Sequence, residues 1–374
     1  NKILMIKKNI VIFYPSFEKG GVTNILKNLL DSDKSKNFNL HIISSKNFTK
    51  GIILKKKNLF FYPIKTKIKI PFFPQRFITS LNGMFTLVSV LKKLKDKTIV
   101  HSMQSNVAAI IICMLKNIKI IIRNSENPIY STINTENKFF GLITFFLKFL
   151  FYNFTDGIIT NSKGSANSLK YFVLNKKKIY QIYNPYLKKI NVKFFKKKNY
   201  IINIARLRKQ KDHKTLLKAF KIFLNNNSDY KLIILGHGNL KGDLELLCKK
   251  LGITKKVIFK GWVKNTIPYL KKSKIFVLTS VYEGLGNVLI DAINYNVPCV
   301  STNCPSGPSE ILLDGNGGYL VKPRSPKLIA KKMLFSIKNY KQSLQKNEKA
   351  KIKLDRFLVS KNTKKYFDYL ESFL

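Results

Sequence analysis

Acidic residues, arginine and cysteine are scarce in this sequence. The chain of 374 residues holds 19 Asp and Glu against 69 Lys and Arg, a formal net charge of +50. Arginine stands only at positions 76, 123, 206, 208, 324 and 356, so nearly all of that charge is lysine. Arginine is the usual reader of base edges, and no RNA- or DNA-binding motif is present, so nucleic acid is not an expected partner. The lysine excess fits compositional drift in a chain also rich in Asn, Ile and Phe. The functional reading beside it is attraction to an anionic membrane surface or a polyanionic substrate. The four cysteines (Cys113, Cys248, Cys299, Cys304) share no CxxC or zinc-type spacing and read as reduced thiols. The four histidines (His41, His101, His213, His237) stand apart, and no DxD pair stands at a strand end, so no metal site is expected.

Long apolar runs are missing too. VAAIIICML (107–115) and FFGLITFFLKFLFY (139–152) fall short of the roughly 20 residues that span a bilayer, and Lys148 interrupts the second. Both are expected to be buried helices. The opening NKILMIKKNIVIFY has no small-residue cleavage site and reads as no signal peptide, with Met5 as a candidate start.

Short apolar runs alternate with helical patterns. NIVIFYP (9–15), LHIIS (40–44), TIVHS (98–102), IKIIIRN (118–124) and GIITNS (157–162) read as strands between helices near 22–30, 79–95, 105–115 and 138–154. The pattern breaks over 183–199, then resumes with strands at 200–206, 230–236, 256–261, 275–280, 298–302 and 317–321. Helices near 212–225, 240–251, 266–272, 286–295 and 326–339 lie among them. Repeated βα units predict parallel sheets covered on both faces. The length exceeds a single core, so two domains are expected. The boundaries read as 1–185, a linker 186–199, a second domain 200–345, and a helical tail 346–374 packing back toward the first. In such α/β sheets, ligands bind at the carboxyl ends of the strands.

Four strand-to-helix junctions carry the chemistry. In PSFEKGGVTNIL, Gly20 and Gly21 let the backbone approach a ligand at a helix N-terminus, or simply make a tight turn. In NIARLRKQKDHKTLL, Arg206 and Lys211 follow a strand end and suit a diphosphate; Lys211 taken alone is also what a lysine-rich chain supplies by chance. In LGHGNL, Gly236 and Gly238 again permit close approach. In VYEGLGNVLID, Glu283 precedes a helix opened by Gly286. The N–H groups of Leu285, Gly286, Asn287 and Val288, after Gly284, would face an anion or sugar oxygen, and Asp291 would reach a diol. The bland reading is a solvent-exposed helix start.

Together these pieces, with NSKGSANSL (161–169), IYNP (182–185), NCPSGPSEIL and GGYLV in order, resemble the retaining family 4 glycosyltransferases (glycosyl transferases group 1) of the GT-B fold. The resemblance covers most of the chain and is strongest in the second half. It implies an α/β architecture of two doubly wound, Rossmann-like domains facing a cleft. Arg206 and Lys211 match the basic pair on the donor diphosphate, Glu283 the first acid of E-x7-E beside the donor sugar, and Asp291 the second acid, on the ribose. The family usually has Glu at that last position, one methylene longer. Gly21 matches the loop glycine near the donor phosphates, and His101 a first-domain histidine near acceptor and sugar, unless it is a satisfied strand-end residue.

The implied reaction breaks the bond between the sugar C1 and the phosphate oxygen, with Arg206, Lys211 and the helix N-terminus stabilising the departing diphosphate and no metal or other cofactor. The donor is a nucleotide-sugar, with a lean to UDP-sugars including N-acetylhexosamines. The acceptor is a glycan or lipid-linked glycan of surface polysaccharide, lipopolysaccharide or glycoprotein assembly. KKKNLFFYPIKTKIKIPFFPQRF (55–77) mixes lysines with phenylalanines and suits either an anionic membrane or a plain loop. The first reading places the enzyme in the cytoplasm, peripheral on the inner membrane face. The competing class is a catalytically weak paralogue that binds polyanions or membranes.

Overall fold

The structure, a computed structural model, describes residues 8–16, 21–45, 56–68, 75–94, 97–133 and 138–374. The chain forms two units. One comprises 1–161, 165–188 and 357–374, the other 162–164 and 189–356.

The first unit is built on β1 (Lys8–Tyr14), β2 (Phe38–Ser44), β3 (Leu59–Pro63), β4 (Thr98–Ser102), β5 (Ile120–Asn124), β6 (Gly157–Thr160) and β7 (Ile179–Gln181). Among the described residues they form one sheet in the order β3-β2-β1-β4-β5-β6-β7, every pair parallel. Central β1 reads as a continuous apolar run because both its faces are covered. Ile10, Ile12 and Tyr14 enter a cluster with Ile25, Leu26 and Leu29, whereas Val11 and Phe13 enter another with Leu87, Val90 and Ile110. That is the period-2 alternation of a strand between two helical layers.

The last eighteen positions complete the first of these clusters. Helix Val359–Glu371 buries Asn362, Thr363, Tyr366, Phe367 and Leu370, a stripe at helical spacing. Phe367 stacks on Phe38 at 5.4 Å and Tyr369 on Tyr180 at 4.5 Å. The return of the chain to this unit is fixed where Leu187 bridges to Leu358 and Val359 N–H donates to the Leu187 carbonyl (2.8 Å).

Helix Lys138–Phe151 departs from expectation. Only Gly141 is buried, and most of its phenylalanines face outward, so it is not a core helix. A single stripe turns inward: Phe145 meets Phe172 edge-on at 4.8 Å. Helix Asn106–Lys116, expected to be buried, does bury Ala109, Ile110, Ile112 and Cys113. Within 55–77, β3 occupies Leu59–Pro63 at the sheet edge, and Phe60 and Phe77 are exposed. Phe72 and Phe73 lie outside the described residues.

The second unit holds β8 (Tyr200–Ile204), β9 (Lys231–Leu235), β10 (Val257–Gly261), β11 (Ile275–Leu278), β12 (Cys299–Thr302) and β13 (Tyr319–Val321), ordered β10-β9-β8-β11-β12-β13 and parallel throughout. Helices His213–Leu224 and Pro326–Lys338 contribute Leu216, Phe220, Ile329 and Met333 to its core. In both sheets the order reverses beside the first strand, at β1/β4 and at β8/β11. There the connections diverge and leave the carboxyl ends of the strands open, the place where such sheets take ligands.

Candidate functional site

At the β8/β11 switch point two strand tails lie side by side. After β8 the chain runs through Ala205 and the exposed Arg206 into a short 3-10 turn, Lys209–Lys211. Asp212 then adopts a left-handed conformation (φ 44°) and caps helix His213–Leu224, its carboxylate accepting from Thr215 N–H at 3.2 Å. Aspartate tolerates that backbone better than most residues. After β11 the chain runs from Thr279 to Gly286.

The two tails are laced together. The Thr279 hydroxyl faces the carbonyls of Lys211 (2.9 Å) and Asp212 (3.1 Å). Val281 N–H donates to the Gln210 carbonyl (2.8 Å), and the Gln210 side-chain amide donates to the Tyr282 carbonyl (2.9 Å). This lacing sets Lys211 opposite Glu283, with Nζ 2.6 Å from Oε1. Ser280 Oγ donates to the same oxygen at 2.7 Å, and Glu283 N–H donates to the Pro305 carbonyl at 3.2 Å. The Lys211 and Glu283 side chains are 15% and 8% exposed. A carboxylate this buried is costly to leave unpaired, and here an ammonium and a hydroxyl meet it.

The helix that follows begins sharply. Gly286 has φ 86° and stands at the N-cap of Asn287–Asn294. Its Cβ would find ordinary space, so the backbone angle is what requires glycine. Gly284 and Leu285 are buried, and Asn287 and Val288 are half-buried. Ser162, which groups with this unit, donates its hydroxyl to the Gly284 carbonyl at 2.7 Å. Behind the loop, Gly307 (φ 93°) lies so close that a Cβ would come within 2.1 Å of the Leu285 carbonyl oxygen. Leu289 N–H is taken by the Gly286 carbonyl at 2.9 Å, and the N–H groups that precede it lie at the helix N-terminus, the general setting for receiving an anion. Asp291 sits half-buried in the second turn and, after burial itself, helps raise the pKa of the Tyr295 phenol.

Gly236 and Gly238 serve the same corner from β9. A Cβ on Gly236 would lie 1.9 Å from the Ala205 carbonyl oxygen, and one on Gly238 2.3 Å from that of Leu207. The close approach they allow is to the chain's own 205–207 backbone. Leu207 N–H closes it by donating to the His237 carbonyl at 3.0 Å. Next to Lys211, His213 is held neutral, its pKa pushed down to about 4 by burial and then by the lysine charge. Burial, with Glu283 adding, pushes the Cys304 thiol up to about 12.

Gly21 and His101 belong to the first unit. Gly21 is exposed and opens helix Gly21–Leu30. His101 sits in the core at 1% exposure. Its Nδ1–H donates to the Ile121 carbonyl (3.1 Å), so Nε2 accepts from the Tyr366 hydroxyl (3.1 Å). Both nitrogens are thereby engaged, and burial holds the pKa down at about 3. This is the satisfied strand-end histidine, fastening the C-terminal helix to the sheet.

The structure thus joins Lys211 to Glu283 directly, sets 284–288 and Asp291 on the adjoining loop and helix, and uses Gly236 and Gly238 as backing. Sequence reasoning missed Ser280, Gln210, Thr279 and Gly307. Their signals were weak: a Thr-Ser pair just after β11, and a glycine in PSGPSEIL that a positive φ and the nearby Leu285 carbonyl explain.

Comparison with known proteins bears on the family and the fold. The profile of the family described as Glycosyl transferases group 1 matches residues 187–353. The chain is similar to an uncharacterized glycosyltransferase of Methanocaldococcus jannaschii, 31% identical, covering 67% of this chain and 69% of that one. It is also similar to a Campylobacter jejuni N-acetylgalactosamine-N,N'-diacetylbacillosaminyl-diphospho-undecaprenol 4-alpha-N-acetylgalactosaminyltransferase, 34% identical, covering 54% of this chain and 56% of that one. Among solved structures, HepE of Anabaena in complex with UDP and glucose superposes with a TM-score of 0.76 at 16% identity, covering 97% and 99% of the two chains. At that identity the likeness concerns the fold, which is GT-B.

Proposed function

The chain belongs to the group 1 glycosyltransferases, and from that premise we propose that it transfers a sugar, with retention at C1, from a UDP-sugar to a lipid-linked glycan. The observation that carries the site is the buried Lys211–Glu283 pair at the switch point. A lysine ammonium has three hydrogens, and Glu283 takes one. Lys211 is therefore oriented by Glu283 while able to donate to a phosphate oxygen. With Arg206 and the N–H groups at 286–288 it neutralises the charge that grows on the departing diphosphate, without a divalent metal. Glu283 acts as a sugar-positioning and electrostatic group rather than a covalent nucleophile. Asp291 holds the ribose hydroxyls. Gly21 contributes backbone to the donor phosphates. His101, as packed, acts through Tyr366 on structure.

The Campylobacter jejuni relative is named as an N-acetylgalactosaminyltransferase acting on a diphospho-undecaprenol-linked sugar. That supports a UDP-N-acetylhexosamine donor and a lipid-linked acceptor, and so work at the cytoplasmic face of a membrane in surface-glycan assembly. A thermal-shift panel of UDP- and GDP-sugars, followed by transfer to a lipid-diphosphate sugar, tests this. Stabilisation by one or more UDP-sugars with transfer of that sugar is expected. No shift and no transfer across the panel refutes it.

A further inference from the structure

Helix Lys138–Phe151 is apolar nearly all round, yet among the described residues its burial is concentrated on the stripe through Gly141, Phe145, Lys148 and Phe151. Phe139, Leu142 and Phe146 are 68%, 67% and 62% exposed, and Phe149 is 49% exposed beside them. Monomers seldom leave large apolar side chains contiguous in water, and such a patch marks a docking face.

The rim of this patch identifies what it meets. No Asp or Glu occurs from 138 to 155, and Lys138 opens the helix. At its other end the strip 172–178 is tied down by Asn153. The Asn153 amide donates to the Phe172 carbonyl (3.1 Å), Leu174 N–H donates to Asn153 Oδ1 (2.8 Å), and Lys178 Nζ donates to the Asn153 carbonyl (3.1 Å). This sets Lys176, Lys177 and Lys178 next to the last turn, with Leu174 exposed among them. Protein–protein interface cores are depleted in lysine, whereas interfacial segments combine Phe and Leu on one face with lysines at its edge. The helix has 14 residues, about 21 Å at 1.5 Å rise, and cannot cross a hydrocarbon core of about 30 Å. Among the described residues no helix is long and apolar enough to cross a membrane.

We propose that this face docks in the plane of an anionic lipid bilayer, with Phe139, Leu142, Phe146 and Phe149 entering the boundary between headgroups and acyl chains and the lysines facing acidic headgroups. The proposal relocates the membrane contact from 55–77 to 138–178, and it rests on the lipid-linked acceptor reading for the choice of a bilayer.

The test is flotation of the full chain at physiological salt with vesicles of equal parts phosphatidylglycerol and phosphatidylcholine, and with phosphatidylcholine alone. The wild type should float with the anionic vesicles. F139E/F146E should lower the bound fraction at least about tenfold on both vesicle types, and K176E/K177E on the anionic ones alone. Both variants should keep the wild-type thermal shift with the UDP-sugar, which separates failed docking from failed donor binding and from misfolding. Wild type that stays unbound overturns the proposal, as does F139E/F146E floating like wild type. A concentration-dependent dimer in sedimentation that F139E/F146E dissolves, without anionic flotation, overturns it in favour of a second copy.

Discussion

Lys211 Nζ lies 2.6 Å from Glu283 Oε1, across a sequence separation of 72. The pair is buried, so each member depends on the other. Lys211→Met alone should abolish transfer and lower stability by about 3–5 kcal/mol, because it strands the carboxylate. Adding Glu283→Leu should recover most of that stability and none of the turnover. Urea unfolding beside a turnover assay checks both; an active Lys211→Met enzyme would remove the lysine from the mechanism.

The two glycines around the loop should respond differently to alanine. At Gly286 only the φ of 86° opposes a Cβ, so Gly286→Ala should cost about 1–2 kcal/mol. At Gly307 the added Cβ meets the Leu285 carbonyl at 2.1 Å, so backbone must move. Gly307→Ala should lower Tm clearly further than Gly286→Ala, and calorimetry reads the difference.

Asp291 is proposed to bind ribose and not to meet the reacting carbon. Asp291→Ala should therefore raise the donor KM with a smaller effect on kcat. Steady-state kinetics in donor concentration decide it: loss confined to kcat at an unchanged donor KM contradicts the ribose role. Asp291→Glu, with the longer reach usual in the family, should keep donor KM at or below the wild-type value.

Acid should destabilise the fold through its buried histidines. Burial holds His41 and His213 at about 4 and His101 at about 3, against 6.5 in the unfolded chain. The unfolded state thus binds more protons as pH falls below about 6.5. Stability is fully present above that value and declines as pH drops toward 4. Chemical denaturation at pH 7, 6 and 5 should show the decline, and His213→Asn should make it shallower. A flat profile would mean these rings reach solvent.

The alternation of short apolar runs with helical patterns was enough to read the sheets, because strands buried on both faces leave a continuous signature. β3 and β7 escaped, since Leu59–Pro63 and Ile179–Gln181 are short edge strands with half-exposed side chains. In the site, Lys211 and Glu283 were legible as types in a pattern. Their direct bond was not, because it depends on lacing by Thr279 and Gln210, ordinary polar residues with no local mark. Apolar content alone misled at 138–151: hydrophobicity says that a helix shuns water, not that this chain supplies the cover. His101 was legible as a strand-end histidine, but its partner Tyr366 comes from 265 positions away.

That late partner bears on how the molecule is made. Tyr366, Phe367 and Leu370 are part of the same apolar cluster as Ile10 and Phe38. On the ribosome, residues 189–356 can assemble their sheet as soon as they emerge, whereas the earlier-made half must wait with that cluster unfilled until Tyr366, Phe367 and Leu370 emerge in their turn. Emergence of helix Val359–Glu371, rather than any local step, is then the event that closes the first core, and a chain stalled before it presents chaperones with an open apolar seat along β1 and β2.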